Sequence, residues 1–390
     1  GASDEPPRCP EGQDAHEALG CYIDRRIRPG PVQRTAFEEA REFLVRLAGR
    51  VGIGAEQVEV FGSVVQDTLT AASDLDLRIV ETEKDETELL RSIANCVAVE
   101  DPCTVKECRF AATVPILILL YNHPSHQVTI DLSVGRSVRS LDHRLSCTLA
   151  ETDSRGRDLV LLVKHLSAVH GFNDAYQKFL KPVCWTVLAI VFLQQLGLAT
   201  VPALGKRKTA PGQSPLLVLF RDFTRWCSGI LITDPMTSVN VSHGVIGSRE
   251  DAENRKIGQV LYVGTEGGNG PAGNMAYSLG RPQATVVRDV LLLAYKHLSL
   301  CVREPGIDPS LVFCSSPDLR TGAPLSPDNE KYTGECTLCK LTFSSKIHHT
   351  EHMAGKRHAW AVAMGVVPSR RGLARKRRRK EGAQVAPEST

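Results

Sequence analysis

The sequence lacks an uninterrupted apolar run long enough to cross a bilayer, so its hydropathy predicts no membrane partner. Residues 1–30 are polar and proline-rich and contain no apolar h-region, so they show no secretory signal. We expect them to form a disordered N-terminal extension. The chain also has no internal repeat and a net charge of only +3, so composition alone does not indicate a nucleic-acid binder. Its 390 residues leave room for two or three domains.

Twelve cysteines are present, but most of them are scattered singly through apolar or mixed segments. A disulfide framework is typical of small secreted domains, whereas a large chain without a signal favours free thiols. The pattern indicates a reducing compartment, nuclear or cytoplasmic, with one pair of cysteines reserved for metal.

The stretch 58–80 carries the strongest chemical signal. A β-like run ends at Gly62 and Ser63, and Asp74 and Asp76 stand two apart around the start of a second β-like run. Side chains two apart on a strand face the same way, so the two acids form a carboxylate pair that needs a cation. Mg²⁺ suits such oxygen ligands and commonly also holds substrate phosphates. Gly62, without a Cβ, would let backbone N–H groups approach those phosphates.

Taken separately, Gly-Ser is usually a simple turn and Asp-x-Asp is common in surface loops. Together, with ten residues between Ser63 and Asp74, they resemble the polymerase β-like nucleotidyltransferase superfamily. That resemblance implies a third carboxylate on a later strand, and Asp131 in the β-prone run 126–135 stands there. A lone strand aspartate is more often structural, so this assignment depends on the first pair. Three acids would hold two Mg²⁺ ions, or Mn²⁺ in their place.

The rest of the chain predicts a mixed α/β (α+β) architecture, with a polymerase β-like sheet domain, a mostly helical central domain and a small ββα zinc finger. Helical spacing predicts helices at 33–47, 84–97, 158–172, 183–198, 214–227 and 284–301, and a buried strand at 110–122. Segments 205–213 and 247–273 read as exposed loops. The predicted domains are an N-terminal extension at 1–30, a catalytic domain at 31–138, a helical nucleotide-recognition domain at 139–310, a linker at 311–330, a zinc finger at 331–366 and a basic tail at 367–390.

This domain order and the phrase ILITDPMTSVNVSHGV (230–245) resemble the terminal nucleotidyltransferases, the template-independent poly(A) and poly(U) polymerases that extend RNA 3′ ends. The resemblance covers about residues 30–303. It implies that Gly62 and Ser63 bind the phosphates of a nucleoside triphosphate and that Lys164 contacts the triphosphate, although a lysine on an apolar helix is more often a surface residue. Asp142 stands where the family often has a ribose-contacting Asn, and a solvated surface Asp is the alternative.

The base-recognition half departs from the family pattern. Pro182-Val183 replaces the pair that supplies an aromatic side chain to stack on the base, and Ala168 replaces a second basic residue, for which Lys178 or Lys181 would have to compensate. Uridylyltransferases of the family commonly place a histidine before the Asn of the 230–245 phrase.

Here Val239 precedes Asn240, which favours ATP over UTP. His243 lies nearby and keeps terminal uridylyltransfer as the alternative.

Near the C-terminus, Cys336, Cys339, His352 and His358 follow the spacing C-x2-C-x12-H-x5-H, which is typical of a structural Zn²⁺ site. The ending resembles matrin-type fingers, several of which bind structured RNA, and a finger used only for protein contacts is the alternative. The basic run 374–380 is either a solvated tail or a segment for phosphate contact or nuclear import.

The sequence leaves two alternative functions open. The first is a catalytically inactive RNA-binding adaptor on the same scaffold, suggested by Val183, with protein partners in RNA processing. The intact acids argue against it, since a protein without catalysis has no need to keep three costly carboxylates together. The second is an enzyme that makes a short second-messenger nucleotide, against which the 230–245 phrase argues.

Overall fold

The computed structural model describes residues 14–314, except for 100, 113, 138, 202–213, 232–235, 250–259, 265–273 and 305, and also the short segments 334–336 and 341–343. The chain divides into two compact units, residues 1–319 and 320–390. Within the described part, no helix is both long and apolar enough to cross a membrane.

A five-stranded mixed sheet forms the first half of the larger unit, with strand order β1-β2-β5-β4-β3. Strands β2 and β5 are parallel, and the other neighbours are antiparallel. The strands are β1 (Val58–Val60), β2 (Leu75–Ile79), β3 (Cys103–Arg109), β4 (Ile116–His123) and β5 (His126–Val134).

Helices α2 (Pro31–Arg50) and α3 (Glu86–Val97) cover this sheet. Their apolar side chains recur at helical spacing and pack with alternate sheet residues into one core, to which Phe43, Leu47, Leu90 and Ile93 belong. The Asp85 side chain accepts hydrogen bonds from the first turn of α3 and so fixes where that helix begins.

A second core is mainly helical. It is built on α6 (Pro182–Gln195), which is apolar on every side and therefore lies at the centre. The helices around it are α4 (Arg139–Ala150), α5 (Ser154–Val169), α7 (Leu216–Ile230) and α8 (Arg281–Arg303). The sequence predicted all of these helices except α4, and the predicted α/β fold class is confirmed.

The N-terminal segment corrects one expectation. Residues 15–27, which we assigned to a disordered extension, are helical: α1 (Ala15–Tyr22) continues into a π-helical turn. Leu19 and Ile23 are buried in the helical core. Tyr22 stacks on Phe313 with ring centroids 4.9 Å apart, and its hydroxyl lies 3.1 Å from His165 Nε2. The long-range burial of these apolar residues outweighs the polar composition of the segment.

Part of the region 247–273, which the sequence predicts to be an exposed loop, is a buried strand. The described part of this region includes β8 (Leu261–Gly264), whose four residues are all buried. This strand pairs in parallel with β6 (Met236–Asn240), which in turn pairs with β7 (Val245–Arg249). The helical core therefore contains a small sheet of its own.

In the second unit the structure describes two short strands, β9 (Gly334–Cys336) and β10 (Leu341–Phe343), which pair antiparallel. A strand pair at this place fits the predicted finger. Cys339, His352 and His358, the Cys336 side chain and the basic run 374–380 lie outside the described residues, so the Zn²⁺ site stays a prediction.

Candidate active site

Three acidic residues meet on neighbouring strands of the five-stranded sheet. Asp74 directly precedes β2, Asp76 lies within it, and Asp131 lies on β5. Asp76 and Asp131 are partners in the parallel register, so their backbones are adjacent across the strand pair. The three carboxylates predicted from the sequence are thus on two adjacent strands.

The electrostatics show that these carboxylates are costly to hold together. Desolvation, followed by the charges of Asp131 and Asp74, raises the pKa of Asp76 to about 7. Desolvation and then Asp131 raise the pKa of Asp74 to about 6. The pKa of Asp131 is also raised by desolvation, against the opposing effect of Arg109 and Lys106. Such a set favours a bound cation, because a cation stabilises the charged forms.

Among the described side chains, no three metal-ligating residues already enclose a metal position. Mg²⁺ prefers oxygen ligands and commonly uses one or two carboxylates, with water and substrate phosphates completing its shell. By their donor chemistry, the carboxylates of Asp74, Asp76 and Asp131 fit Mg²⁺.

The Gly-Ser turn lies directly against this acidic set. Gly62 has φ +69°, in the left-handed region, and a Cβ built on it would lie 2.3 Å from Asp76 Oδ2. Any larger residue would push into the carboxylate, so glycine is required here. Ser63 follows, and its carbonyl accepts a hydrogen bond from the Thr68 N–H at 3.0 Å. The two residues therefore begin a tight loop that leads back to β2.

Asp142, on α4, holds this loop from the helical side. Its Oδ2 accepts a hydrogen bond from the Gly62 N–H, and its Oδ1 accepts one from Gln66 Nε2, both at 2.7 Å. The residue is only 5% exposed, so the solvated-surface alternative is wrong. The Gly62 N–H, which we expected to face a phosphate, is occupied by the Asp142 carboxylate.

Lys164, on α5, holds the far end of the same loop. Its Nζ donates to the Thr68 carbonyl at 2.7 Å and to the Thr68 hydroxyl at 3.2 Å. Desolvation lowers the Lys164 pKa to about 8, while Asp76 acts in the opposite direction. This lysine is therefore directed towards the acidic set and is not a surface lysine reaching into water.

The predicted base-recognition residues lie in the helical part. Val183 is partly buried in the first turn of α6 and packs against the helical core. Asn240 ends β6, and its Oδ1 accepts a hydrogen bond from the Ser242 N–H at 2.9 Å. Val239 is fully buried, whereas His243 is exposed in the following turn.

Sequence reasoning missed the roles of Gln66 and Thr68. Both lie in the ten-residue stretch between Ser63 and Asp74, which we treated only as a spacer, and both are buried and bonded to the helical side. The local signal was a polar run, residues 66–68, between the apolar Val65 and Leu69. The partners of Gln66 and Thr68 are 76 and 96 residues away in sequence.

Parts of this chain are similar to known proteins. Residues 33–141 match the family model described as the central palm domain of mitochondrial-like poly(A) RNA polymerase. Protein HESO1 of Arabidopsis thaliana is 27% identical over 156 residues, which cover 38% of this chain and 30% of that protein. Poly(A) RNA polymerase gld-2 of Caenorhabditis elegans is 29% identical over 141 residues, covering 35% of this chain and 13% of that protein.

The crystal structure of mtPAP in complex with UTP is similar in fold, with a TM-score of 0.60 at 16% identity. The match covers 78% of this chain and 74% of that one. The matched region spans under a third of the length of the two curated relatives. The resemblance seen in the sequence is confirmed, because residues 33–141 match this palm domain and the fold is similar to that of mtPAP.

Proposed function

We propose that this protein adds nucleotides to RNA 3′ ends without a template, with ATP favoured over UTP. The observation that carries the proposal is the pairing of Asp76 with Asp131 across parallel strands, with Asp74 two residues from Asp76. Asp131 raises the pKa of both Asp74 and Asp76. A cation bound by these carboxylates would suit nucleotidyl transfer, in which a negatively charged triphosphate must be bound and its leaving group stabilised.

The residues of the chain would act mainly by positioning and charge. Asp74, Asp76 and Asp131 would hold Mg²⁺, or Mn²⁺ in its place, which when bound neutralises phosphate charge and makes the attacking hydroxyl easier to deprotonate. Asp131 would lie nearest that hydroxyl.

The RNA 3′-hydroxyl gives its proton to water and its oxygen forms a bond to the α-phosphorus, while the bond from that phosphorus to the α–β bridging oxygen breaks and pyrophosphate leaves. Lys164 adds positive charge on the triphosphate side, and the loop that starts at Gly62 and Ser63 fixes where the phosphates lie.

The preference for ATP is supported by the residue before Asn240. A histidine there would supply a polar group for uracil, but Val239 is buried in the helical core and offers none. His243 lies in an exposed turn beyond the strand. Asp142 accepts one loop hydrogen bond on each oxygen, and its remaining lone pairs would accept a further one from the ribose.

The C-terminal finger and tail would add RNA affinity. We propose that Cys336, Cys339, His352 and His358 bind Zn²⁺ and that the finger contacts structured RNA or a protein of RNA processing. The basic run 374–380 would contact phosphates and direct the protein to the nucleus. Tethering of this kind raises the local RNA concentration at the active site.

An extension assay tests the proposal. Labelled RNA is incubated with the protein, Mg²⁺ and each nucleoside triphosphate in turn, and then with all four in competition. We expect a ladder of extended products, longest with ATP. Asp76→Ala should abolish extension and leave RNA binding unchanged, whereas Asp289→Ala, an exposed acid on α8, should leave extension intact.

A folded wild-type protein that extends no RNA with any triphosphate would instead favour the adaptor function. Preferred incorporation of UTP would overturn the base assignment alone.

A further inference from the structure

An exposed tyrosine lies beside the head of α6, where the family aromatic is replaced by Val183. Tyr277 is 50% exposed, an unusual amount for a large ring in this part of the chain. The Lys181 ammonium lies 5.0 Å from the centre of its ring. A ring held by a cation and open to solvent has π surface available for a ligand.

Three contacts hold the segment that carries Tyr277 against the start of α6. The Ser278 hydroxyl donates to the Phe179 carbonyl at 2.7 Å, and the Gly280 N–H donates to the Lys178 carbonyl at 3.1 Å. The Cys184 thiol lies 3.3 Å from the Met275 carbonyl. Tyr277 is therefore fixed next to the helix head and is not a loop residue free to move away.

The same segment reaches the strand that ends in Asn240. Asn240 pairs with Gly264 in the parallel register, and Gly264 bridges to Asn274 on its other side. The Tyr277 N–H donates to the Asn274 carbonyl at 3.3 Å, so Tyr277 lies in the turn that directly follows Asn274. The segment that carries Tyr277 is thus connected by direct contacts to both places where the sequence predicted base recognition.

The helix head is also at the Lys164 end of the helical core. Helices α5 and α6 pack against each other and are joined by residues 170–181, so the start of α6 lies near the end of α5. The Trp185 indole N–H donates to the Phe172 carbonyl at 3.1 Å and closes this connection. Lys164 is five residues before the end of α5, so a triphosphate bound there would place its base towards the α6 head.

We propose that Tyr277, supported by Lys181, is the surface on which the base of the incoming nucleotide stacks in this protein. The proposal rests on the proposed function and deepens it. An aromatic face binds every base, so Tyr277 sets nucleotide affinity, and selection between bases falls to other residues. Position 183 carries a valine instead of an aromatic residue, and the aromatic side chain comes from Tyr277, 94 residues further along the chain.

The test measures ATP affinity of the full-length protein in Mg²⁺ without RNA, and KM for ATP in the extension assay, for Tyr277→Ala and Tyr277→Phe. Base stacking on an aromatic predicts about 5- to 150-fold weaker binding for the alanine variant. The phenylalanine variant keeps the ring and should bind as the wild type does.

Tyr295→Ala is the matched control, because Arg225 lies 5.5 Å from the centre of the Tyr295 ring in a similar cation–aromatic pair elsewhere on the helical region. It should leave ATP affinity unchanged.

Inorganic tripolyphosphate separates base binding from a general structural effect. Its inhibition constant should be equal in the wild type and in Tyr277→Ala, because it has no base, but should rise in Lys164→Ala. Suppose that the wild-type protein binds ATP and extends RNA. Equal ATP affinities of Tyr277→Ala and Tyr295→Ala would then overturn the stacking role and leave the proposed function standing. A wild-type protein that neither binds ATP nor extends RNA would overturn both.

Discussion

Gly62→Ala should disable the active site while leaving most of the fold intact. The residue has φ +69°, and a side chain in that conformation costs about 1–2 kcal/mol. The new Cβ would also lie 2.3 Å from Asp76 Oδ2, whereas ordinary contact begins at 3.4 Å. The two atoms must therefore move apart by about 1.1 Å before they reach ordinary contact. Asp76 is held within β2, so its carboxylate must turn to a different position.

A misplacement of about 1 Å in a catalytic arrangement costs on the order of 100-fold in rate. We therefore expect Gly62→Ala to lose about 100-fold in kcat/KM for RNA extension, while urea unfolding shows a loss of about 1–2 kcal/mol from the backbone conformation. The two measurements use the same protein preparation, so loss of activity and loss of folded protein are separated.

Gly171→Ala is the matched control. Gly171 has φ +71°, but a Cβ there would meet no atom within 4 Å. It should lose the same unfolding free energy and keep wild-type extension. If Gly62→Ala extends RNA as well as Gly171→Ala does, the overlap with Asp76 has no catalytic consequence and the reasoning is wrong.

Three further changes test other contacts. Asp142→Ala leaves the Gly62 N–H and the Gln66 amide without their acceptors, so the free energy of unfolding in urea should fall by about 1–3 kcal/mol. Asp142→Asn restores one acceptor, so its free energy of unfolding should fall by less. Because the pKa of Asp76 is raised to about 7 without a cation, Mg²⁺ should raise the Tm of the wild-type protein more at pH 8 than at pH 5.5. In calorimetry of Asp76→Asn, the effect of Mg²⁺ on Tm should differ less between these two pH values.

Burial lowers the pKa of His165 from 6.5 to about 4. As the pH falls below 6.5, the unfolded chain binds a proton on this histidine before the folded protein does. The free energy of unfolding should therefore be highest above pH 6.5 and decrease towards pH 4, by at most about 3 kcal/mol. His165→Phe should lack this component. Comparing the two proteins cancels the acidic residues, whose raised pKa values act in the opposite sense over the same range.

The sequence predicted what depends on local spacing. Asp74 and Asp76 face one way because side chains two apart on a strand do so, and the helices followed from apolar residues at helical spacing. The contact between Asp142 and Gly62 joins residues 80 apart, and no local pattern records it. The strand Leu261–Gly264 was hidden by its glycine-rich surroundings, although its own residues are apolar and buried.

The stacking of Tyr22 on Phe313 has a consequence for any shortened form of this protein. The two residues are 291 positions apart, and both contact His165, the neighbour of Lys164 on α5. A fragment trimmed to begin where the palm family match begins, at residue 33, would remove Tyr22 and expose one side of that ring cluster to water. Packing of the helical core therefore depends on residues near both of these positions, which lie well outside the region that the acidic motif alone marks.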